Sequence, residues 1–397
     1  MKTIRLFDRN SHQYAFTATV VSATPAKAAG TIDVVLDATA FFPEGGGQYA
    51  DPGTLAGLPV SDVQEKNGII THTVALAGDT HPFAVGATVE GVLDTDTRLV
   101  RMQNHTAEHI ISGIVHRLYG YRNVGFHLGD GDVTLDFDGV LTRAQLDEIE
   151  DEANRIVAAC LPVTAYYPTP EELASLTYRA KLELSEGVRI VEIGAGDTLA
   201  DRCACCAPHL QNTGEIGLVK LLDFIHYKGG VRIHMLAGSW ALRDYRRRYA
   251  DTVTVATALS VKQTEVADGF ARLLDDVEEQ KRQIATLRTR IEDMTVAAIR
   301  ETEGNLCLVC EDLDALGMRR LLNRAVEKCG GLCGVFVGDD QSGYRFVVGR
   351  GTPDSDLKAY LPELRTALAA KCGGSSEMLQ GSASVTRAEI EAYFARR

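Results

Sequence analysis

The chain has 397 residues, with 41 Lys and Arg against 54 Asp and Glu and a formal net charge of −13. That balance excludes a protein that coats nucleic acid non-specifically, yet it leaves room for a grip on one RNA through local basic patches. A 45% hydrophobic content suits a soluble globular protein of several domains, and no apolar run reaches the ~18 residues of a membrane span. Nine cysteines behind a start without a secretory apolar segment imply reduced thiols or a metal, and a cytoplasmic protein.

The expected fold class is α+β and multidomain. Residues 1–95 predict a small N-terminal β-barrel: Ala15–Val21, Ile32–Leu36, Val60–Val63 and Val85–Leu93 are short β-branched runs separated by Gly, Pro and Asp. Within it lies Phe41-Phe-Pro-Glu-Gly-Gly-Gly-Gln48. Gly45, Gly46 and Gly47 suit a tight turn, and equally a backbone that approaches a ligand closely.

Residues 96–250 alternate helix and strand and predict a two-layer α/β domain. Its first helix opens with His105-Thr-Ala-Glu-His109, for which Asn104 is a candidate cap and Ile110, Ile111 and Ile114 a burying face. A strand at Val133–Phe137, a helix near Leu146–Ala159, a strand at Val188–Ile193, a cysteine-rich loop and Thr213-Gly-Glu-Ile-Gly217 come next. Arg243, Arg246, Arg247 and Arg248, interleaved with Tyr245 and Tyr249, form a basic patch that fits RNA as well as a solvated helix face.

Residues 255–300 predict a coiled-coil linker. Leu259, Val266, Leu273, Gln280, Leu287 and Met294 keep a seven-residue period, and Phe270, Val277, Ile284, Ile291 and Ala298 form the second stripe. The seam over 259–298 calls for a partner helix, hence a homodimer. Residues 301–397 predict a small C-terminal α/β domain with strands at Leu306–Val309 and Gly334–Gly338 and helices at Leu316–Lys328 and Leu357–Lys371. Cys372-Gly-Gly-Ser-Ser and a final helix close it.

Two histidines four apart on a helix lie on one face, so both imidazoles can reach one metal ion. Cys205-Cys-Ala-Pro-His209 supplies the complement, making His105, His109, Cys205 and His209 the four expected donors for one zinc per chain. Cys203 and Cys206 are neighbours that can substitute for Cys205. If all four donors bind, the site is closed and structural; if one is displaced, zinc can activate water or hold substrate. His105-Thr-Ala-Glu-His109 also matches an inverted zinc-protease pattern with Glu108 as base, but that reading leaves the cysteine loop idle. Cys307, Cys310, Cys329 and Cys333 are spaced like a zinc ribbon, yet Cys307 and Cys310 would face opposite sides of a strand.

In order, Phe42-Pro-Glu-Gly-Gly-Gly-Gln48 with Asp51 and Gly53, the His105–His109 helix, Cys205 to His209 and Thr213-Gly-Glu-Ile-Gly217 resemble the landmarks of the freestanding alanyl-tRNA editing proteins, the AlaX family in its long form. The coiled coil and tail resemble the C-terminal region of alanyl-tRNA synthetases, beyond their editing domain, which makes residues 301–397 similar to a DHH-associated domain. Two departures stand out. Cys205-Cys-Ala-Pro-His209 replaces the family's Cys-Gly-Gly-Thr-His, and Gly373-Gly-Ser-Ser is poorer in glycine than the family's tail.

The resemblance implies a hydrolase that deacylates alanine tRNA carrying serine or glycine, a second sieve for amino acids that an alanine pocket rejects poorly. It implies catalytic roles for His105, His109 and His127, and substrate contacts from Gly45, Gly46, Gly47 and Thr106. With only about a hundred residues before the histidine helix, the expected protein edits and does not charge. The contrasting readings are a non-catalytic tRNA-binding or assembly module with a structural zinc, and the inverted-motif protease.

Overall fold

A computed structural model describes residues 2–78, 80–180, 187–352 and 356–396. The protein is mixed α+β, and its chain divides after Thr254 into two compact units.

The N-terminal part of the first unit holds a ring of six strands: β1 (Ala15–Pro25), β2 (Thr31–Leu36), β3 (Gly53–Leu55), β4 (Leu58–Lys66), β5 (Ile69–Ala75) and β6 (Thr88–Leu93). They pair antiparallel in the order β1-β2-β5-β4-β3-β6, and the pairing of β6 with β1 closes the ring. β2, β5 and β6 bury every second side chain, as strands with one wet face must. The interior holds Phe16, Val34, Leu36, Phe41, Leu55, Ile70 and Val74. It also holds His72, fully buried: its Nδ1 donates to the Val34 carbonyl at 3.1 Å and its Nε2 accepts from the Thr39 hydroxyl at 2.8 Å.

Helix α1 (Thr95–Tyr119) comes directly after β6. The Asp94 carboxylate caps it by accepting from the Thr97 amide at 2.8 Å, and Gly120, at φ 71°, ends it. The cap expected at Asn104 is therefore corrected: the helix begins ten residues earlier, because Asp94 precedes a helix-forming first turn. Asn104 is buried mid-helix, where its amide accepts from the Ala237 N–H at 2.8 Å and donates to the Val100 carbonyl at 2.8 Å.

Strands β7 (Asn123–Leu128) and β8 (Val133–Phe137), helix α2 (Arg143–Ala158), and strands β9 (Val163–Tyr166), β10 (Ile190–Ile193), β11 (Asp201–Ala204), β12 (Val219–Tyr227) and β13 (Gly230–Ala237) complete this unit's body. They form a four-stranded sheet, β12-β13-β8-β7, and a three-stranded sheet, β9-β10-β11. Ile110, Ile114, Leu135, Leu146, Ile149 and Ile233 meet in one core under α1 and α2. Helix α3 (Gly238–Leu259) leaves the sheet.

The second unit contains helix α4 (Val266–Ala298), strand β14 (Leu306–Cys310), helix α5 (Ala315–Ala325), strands β15 (Leu332–Asp339) and β16 (Gly343–Arg350), helix α6 (Leu361–Ala367), strands β17 (Lys371–Gly374) and β18 (Leu379–Ala383), and helix α7 (Arg387–Ala395). Its sheet runs β14-β15-β16-β18-β17, with only β14 and β15 parallel. Cys307 packs on one side of β14 and Cys310 on the other, which removes the zinc-ribbon arrangement.

Two expected helices are shorter than the sequence pattern suggests. The heptad stripe from Leu259 is broken: Ser260 adopts φ 55° and the Val261 amide bonds back to the Ala256 carbonyl, a left-handed helix stop. Leu259 thus ends α3, and the stripe resumes in α4, where Leu273, Ile284, Leu287, Ile291 and Met294 are exposed in the single chain. The helix expected over 357–371 ends at Ala367, and Lys371 already belongs to β17.

Burial lowers the His72 pKa to about 4 from an unfolded value near 6.5. Between these values the unfolded chain binds the proton and the folded barrel does not, so stability falls as pH falls. Going from pH 7 to pH 5 is expected to cost about 2 kcal/mol through this residue alone. In urea titrations at the two pH values, His72→Gln should show a correspondingly smaller difference than the parent protein.

Candidate metal centre

Helix α1 is buried on nearly every side, and one of its stripes is polar: Arg98, Arg101, His105, Glu108, His109 and Ser112 are all at most 5% exposed. Such a stripe survives burial only if each group has a partner. Arg98 has the most. Its guanidinium forms a salt bridge with Asp51 and donates to the Ser11 carbonyl at 2.9 Å and the Ala40 carbonyl at 2.6 Å. Asp51 also accepts from the Phe42 amide at 2.7 Å. One turn on, Arg101 donates to the Ala50 carbonyl at 2.5 Å. The helix thereby holds residues 48–51 against itself.

That grip delivers Gln48. Gly45 and Gln48 exchange both backbone hydrogen bonds at 3.0 Å around Gly46 and Gly47, which have φ of 63° and 84°. Two central residues with positive φ make a tight turn that glycine adopts without strain. At Gly47 a side chain is further excluded, because a Cβ would stand 2.5 Å from the Phe126 carbonyl oxygen. The turn leaves Gln48 buried, with its Oε1 2.9 Å from His105 Nδ1.

His105, His109, Cys205 and His209 come together with one donor atom from each within 4.8 Å of the others. Cys205 Sγ lies 3.5 Å from His105 Nε2 and 3.3 Å from His209 Nε2. The edge of a tetrahedral zinc shell with one nitrogen and one sulfur ligand is about 3.5 Å, so the spacing fits such an ion. Two imidazoles have a hydrogen-bond partner at Nδ1, Gln48 for His105 and Thr106 Oγ1 at 3.1 Å for His209, and Asp201 Oδ2 stands 3.4 Å from His109 Nδ1, an ion-pair distance without a formed hydrogen bond. Outer partners of this kind fix ring orientation and leave the other nitrogen for the metal. This cluster could hold a metal ion.

The cysteine loop is fastened from two directions. Arg189 donates to the Cys205 carbonyl at 3.1 Å and the Ala207 carbonyl at 2.8 Å. The Ala207 methyl is fully buried in the barrel core. Burial pushes the Cys205 thiol up, and burial together with the neighbouring His109 and His105 pushes His209 well below its ordinary value. The neutral forms therefore dominate without a cation. Burial alone would raise Asp201, but the adjacent His109 and the hydrogen-bonded Arg179 hold it below the usual carboxylate range. Arg179 binds it through two N–H groups at 2.7 Å each.

The other residues singled out from the sequence are placed differently. Thr106 is fully buried, its hydroxyl taken up by His209 and the Leu210 amide. His127 is exposed on β7, its ring edge-on to Tyr49 at 5.8 Å, while the adjacent Phe126 packs on His105 at 4.8 Å. Glu108 accepts from Ser112 at 2.8 Å and Asn123 at 2.6 Å, a structural engagement unlike that of a protease base. Cys206 is exposed, whereas Cys203 is buried and forms a second donor group with His109 and Asp201. Sequence reasoning missed Gln48, Arg98 and Asp201. For Arg98 a signal existed, since it precedes His105 by seven residues on the same helical face.

Residues 8–97 match the family model described as tRNA synthetases class II (A), and residues 188–236 match the threonyl and alanyl tRNA synthetase second additional domain. An alanine–tRNA ligase of Methanococcus maripaludis is 32% identical over 272 residues, 66% of this chain and 30% of the relative. One of Halorubrum lacusprofundi is 32% identical over 362 residues, 86% of this chain and 38% of the relative. One of Methanocorpusculum labreanum is 28% identical over 365 residues, 88% and 39%. The chain thus spans between a third and two fifths of these relatives' length in its broader matches. Two synthetase family models in order, on either side of the helix that carries His105 and His109, make the chain similar to alanyl-tRNA synthetases and support an AlaX-like alanyl-tRNA editing protein.

Proposed function

We propose that this protein is a trans-editing aminoacyl-tRNA deacylase that hydrolyses the ester joining serine or glycine to alanine tRNA. The observation that carries the reading is the convergence of His105, His109, Cys205 and His209 in a chain that resembles this family. These four residues would hold one zinc per chain, and with one of them displaced the ion would supply a Lewis acid for the ester carbonyl or for water.

The chain's own groups do the rest. Gln48 and Thr106 hold two imidazoles in place through their Nδ1 atoms, and Asp201 stands beside the third. His127, exposed beside Tyr49, positions water or the terminal adenosine, and the backbone of Gly45, Gly46 and Gly47 borders the amino acid. RNA is gripped through local cations and aromatic rings. Arg243 lines a cleft of about 510 Å³ with Trp240 and Gln103, and Tyr245 and Tyr249 stack beyond it at 6.3 Å. Arg247 and Arg248 are partly neutralised by Asp244. The exposed stripe of α4 pairs with the same stripe of a second copy, giving a homodimer.

A structural metal in a non-catalytic tRNA-binding module is the second reading, favoured by the near-complete burial of all three histidines. The two part on deacylation. Seryl- and glycyl-tRNA for alanine should lose their amino acid to the zinc-loaded protein while alanyl-tRNA persists; no hydrolysis of any of the three leaves only the binding module. For the ligand set, Cys205→Ala is expected to purify with little zinc, Cys203→Ala and Cys206→Ala with a full equivalent. Gln48→Leu should weaken zinc affinity by roughly 10- to 100-fold. Full zinc in Cys205→Ala rejects the ligand set. For the dimer, Ile284→Glu with Leu287→Glu should halve the mass seen by light scattering.

A further inference from the structure

The cleft of about 510 Å³ that Arg243 lines takes no part in the hydrolytic step, and its volume is that of a small-ligand site. Three segments build it. The start of α1 contributes Asp96 and Leu99, the connection between β7 and β8 contributes Asp130 and Gly131, and the start of α3 contributes Trp240 and Arg243. The polar groups differ in availability. Gln103 also lines the cleft but is spent: its Nε2 donates to the Glu215 carbonyl at 2.9 Å and its Oε1 accepts from the Ser239 amide at 3.3 Å. Asp130 faces Arg101 at 3.5 Å. Asp96 and Arg243 are exposed, and among the described residues their side chains make no hydrogen bond or ion pair. A carboxylate and a guanidinium from different helices thus share one opening with their charges uncommitted.

A second cavity of about 200 Å³ adjoins the first: Gly131, Trp240 and Arg243 line both, and Leu236, Asp244 and Arg247 line the second. Arg247 and Arg248 share the Asp244 carboxylate at 2.9 and 2.5 Å, so two guanidiniums meet one carboxylate and positive charge is left over. Trp240 belongs to the apolar core and is held there rigidly while lining both spaces. The joined space matches a nucleotide. A carboxylate accepts two parallel N–H bonds, and of the four RNA bases only guanine presents two adjacent donors, N1–H and N2–H, on one edge. The other three bases each place an acceptor beside their donor. Guanine O6 and N7 in turn are read by two N–H groups of a guanidinium. An indole gives the base a flat apolar wall, and surplus cations suit a phosphate.

We infer that this cleft binds a guanine nucleotide whose Watson–Crick edge is unpaired. Asp96 accepts from N1 and N2, Arg243 donates to O6 and N7, the base lies along Trp240, and the phosphate meets Arg247. A free nucleotide and a guanine in single-stranded RNA share this chemistry. A guanine inside a stem does not, because its Watson–Crick edge is already used. The assignment goes beyond the RNA grip placed at this cleft above and does not depend on the editing reaction.

Trp240 is the chain's only tryptophan, so its fluorescence reports on the cleft directly. The full-length protein is titrated with guanosine, adenosine, cytidine and uridine 5′-monophosphates, and with two RNA hexamers, one all uridine and one carrying a single guanine. Equilibrium dialysis runs alongside, so that binding without a fluorescence change is still counted. Guanosine monophosphate is expected to saturate the site and to bind about 10-fold or more tightly than the other three, and Asp96→Asn and Arg243→Gln should each remove that margin. Tighter binding of the guanine hexamer than of the mononucleotide assigns the site to RNA, and weaker binding assigns it to a free nucleotide. Equal affinity for all four mononucleotides, no saturable binding of guanosine monophosphate or of the guanine hexamer, or selectivity that both variants retain overturns the inference. Should a variant misfold, the selectivity of the unmutated protein still decides. No aminoacyl-tRNA enters these titrations, so they stand or fall separately from the deacylation assay.

Discussion

The buried ion pair between Arg98 and Asp51 is the constraint on which the first unit rests. Both side chains are wholly shielded from water, and desolvating two charges is costly unless every remaining polar position is used. Arg98 meets that condition with two carbonyls from the barrel segment, whereas Asp51 gathers Arg98 and the Phe42 amide on Oδ2 and leaves its buried Oδ1 without a hydrogen-bond partner. Removing one partner of such a pair typically costs about 3–5 kcal/mol, because the other is stranded. What this interaction supplies is register. Arg98 sits two turns before His105, so fixing it against Asp51 also fixes Gln48 against His105. The donor cluster inherits its geometry from an ion pair that never touches it.

The rest of the centre obeys the same logic of partners behind partners. Gly113 lets α1 approach β11 so closely that a Cβ there would meet the Ala200 carbonyl at 2.8 Å. That approach brings Asp201 to His109, and Arg179 in turn holds Asp201. The unusual Cys205-Cys-Ala-Pro-His209 sequence also finds a reason here. Where the resembling family has a second glycine, this chain has Ala207, whose methyl fills space in the barrel core.

Local chemistry was legible in the sequence, and long-range partnership was not. Histidines four apart and a cysteine four before a histidine announce donors through helix and loop geometry alone. Period-two burial in β2, β5 and β6 likewise matches the alternation of the residues themselves. Gln48 and Asp201 lie 57 and 92 positions from His105 and His109, and nothing in either neighbourhood marks them as partners of an imidazole. Ser260 was invisible for another reason. Serine seldom takes positive φ, so a heptad pattern running across it reads as continuous although the backbone turns there. Asn104 misled because a residue that often caps helices serves equally well inside one when a strand edge such as Ala237 needs a partner.

Ala207 has a kinetic consequence. Its methyl group is part of the barrel's interior while Cys205 and His209, two residues to either side, belong to the cluster that could hold a metal ion. The loop cannot swing away from the cluster without drawing that methyl out and opening a void in the barrel. Exchange of an ion held there would therefore be tied to breathing of a β-structure whose strands contribute none of the four clustered residues. Barrel mutations that loosen packing around Ala207 would change how long an ion stays, even with all four donors intact.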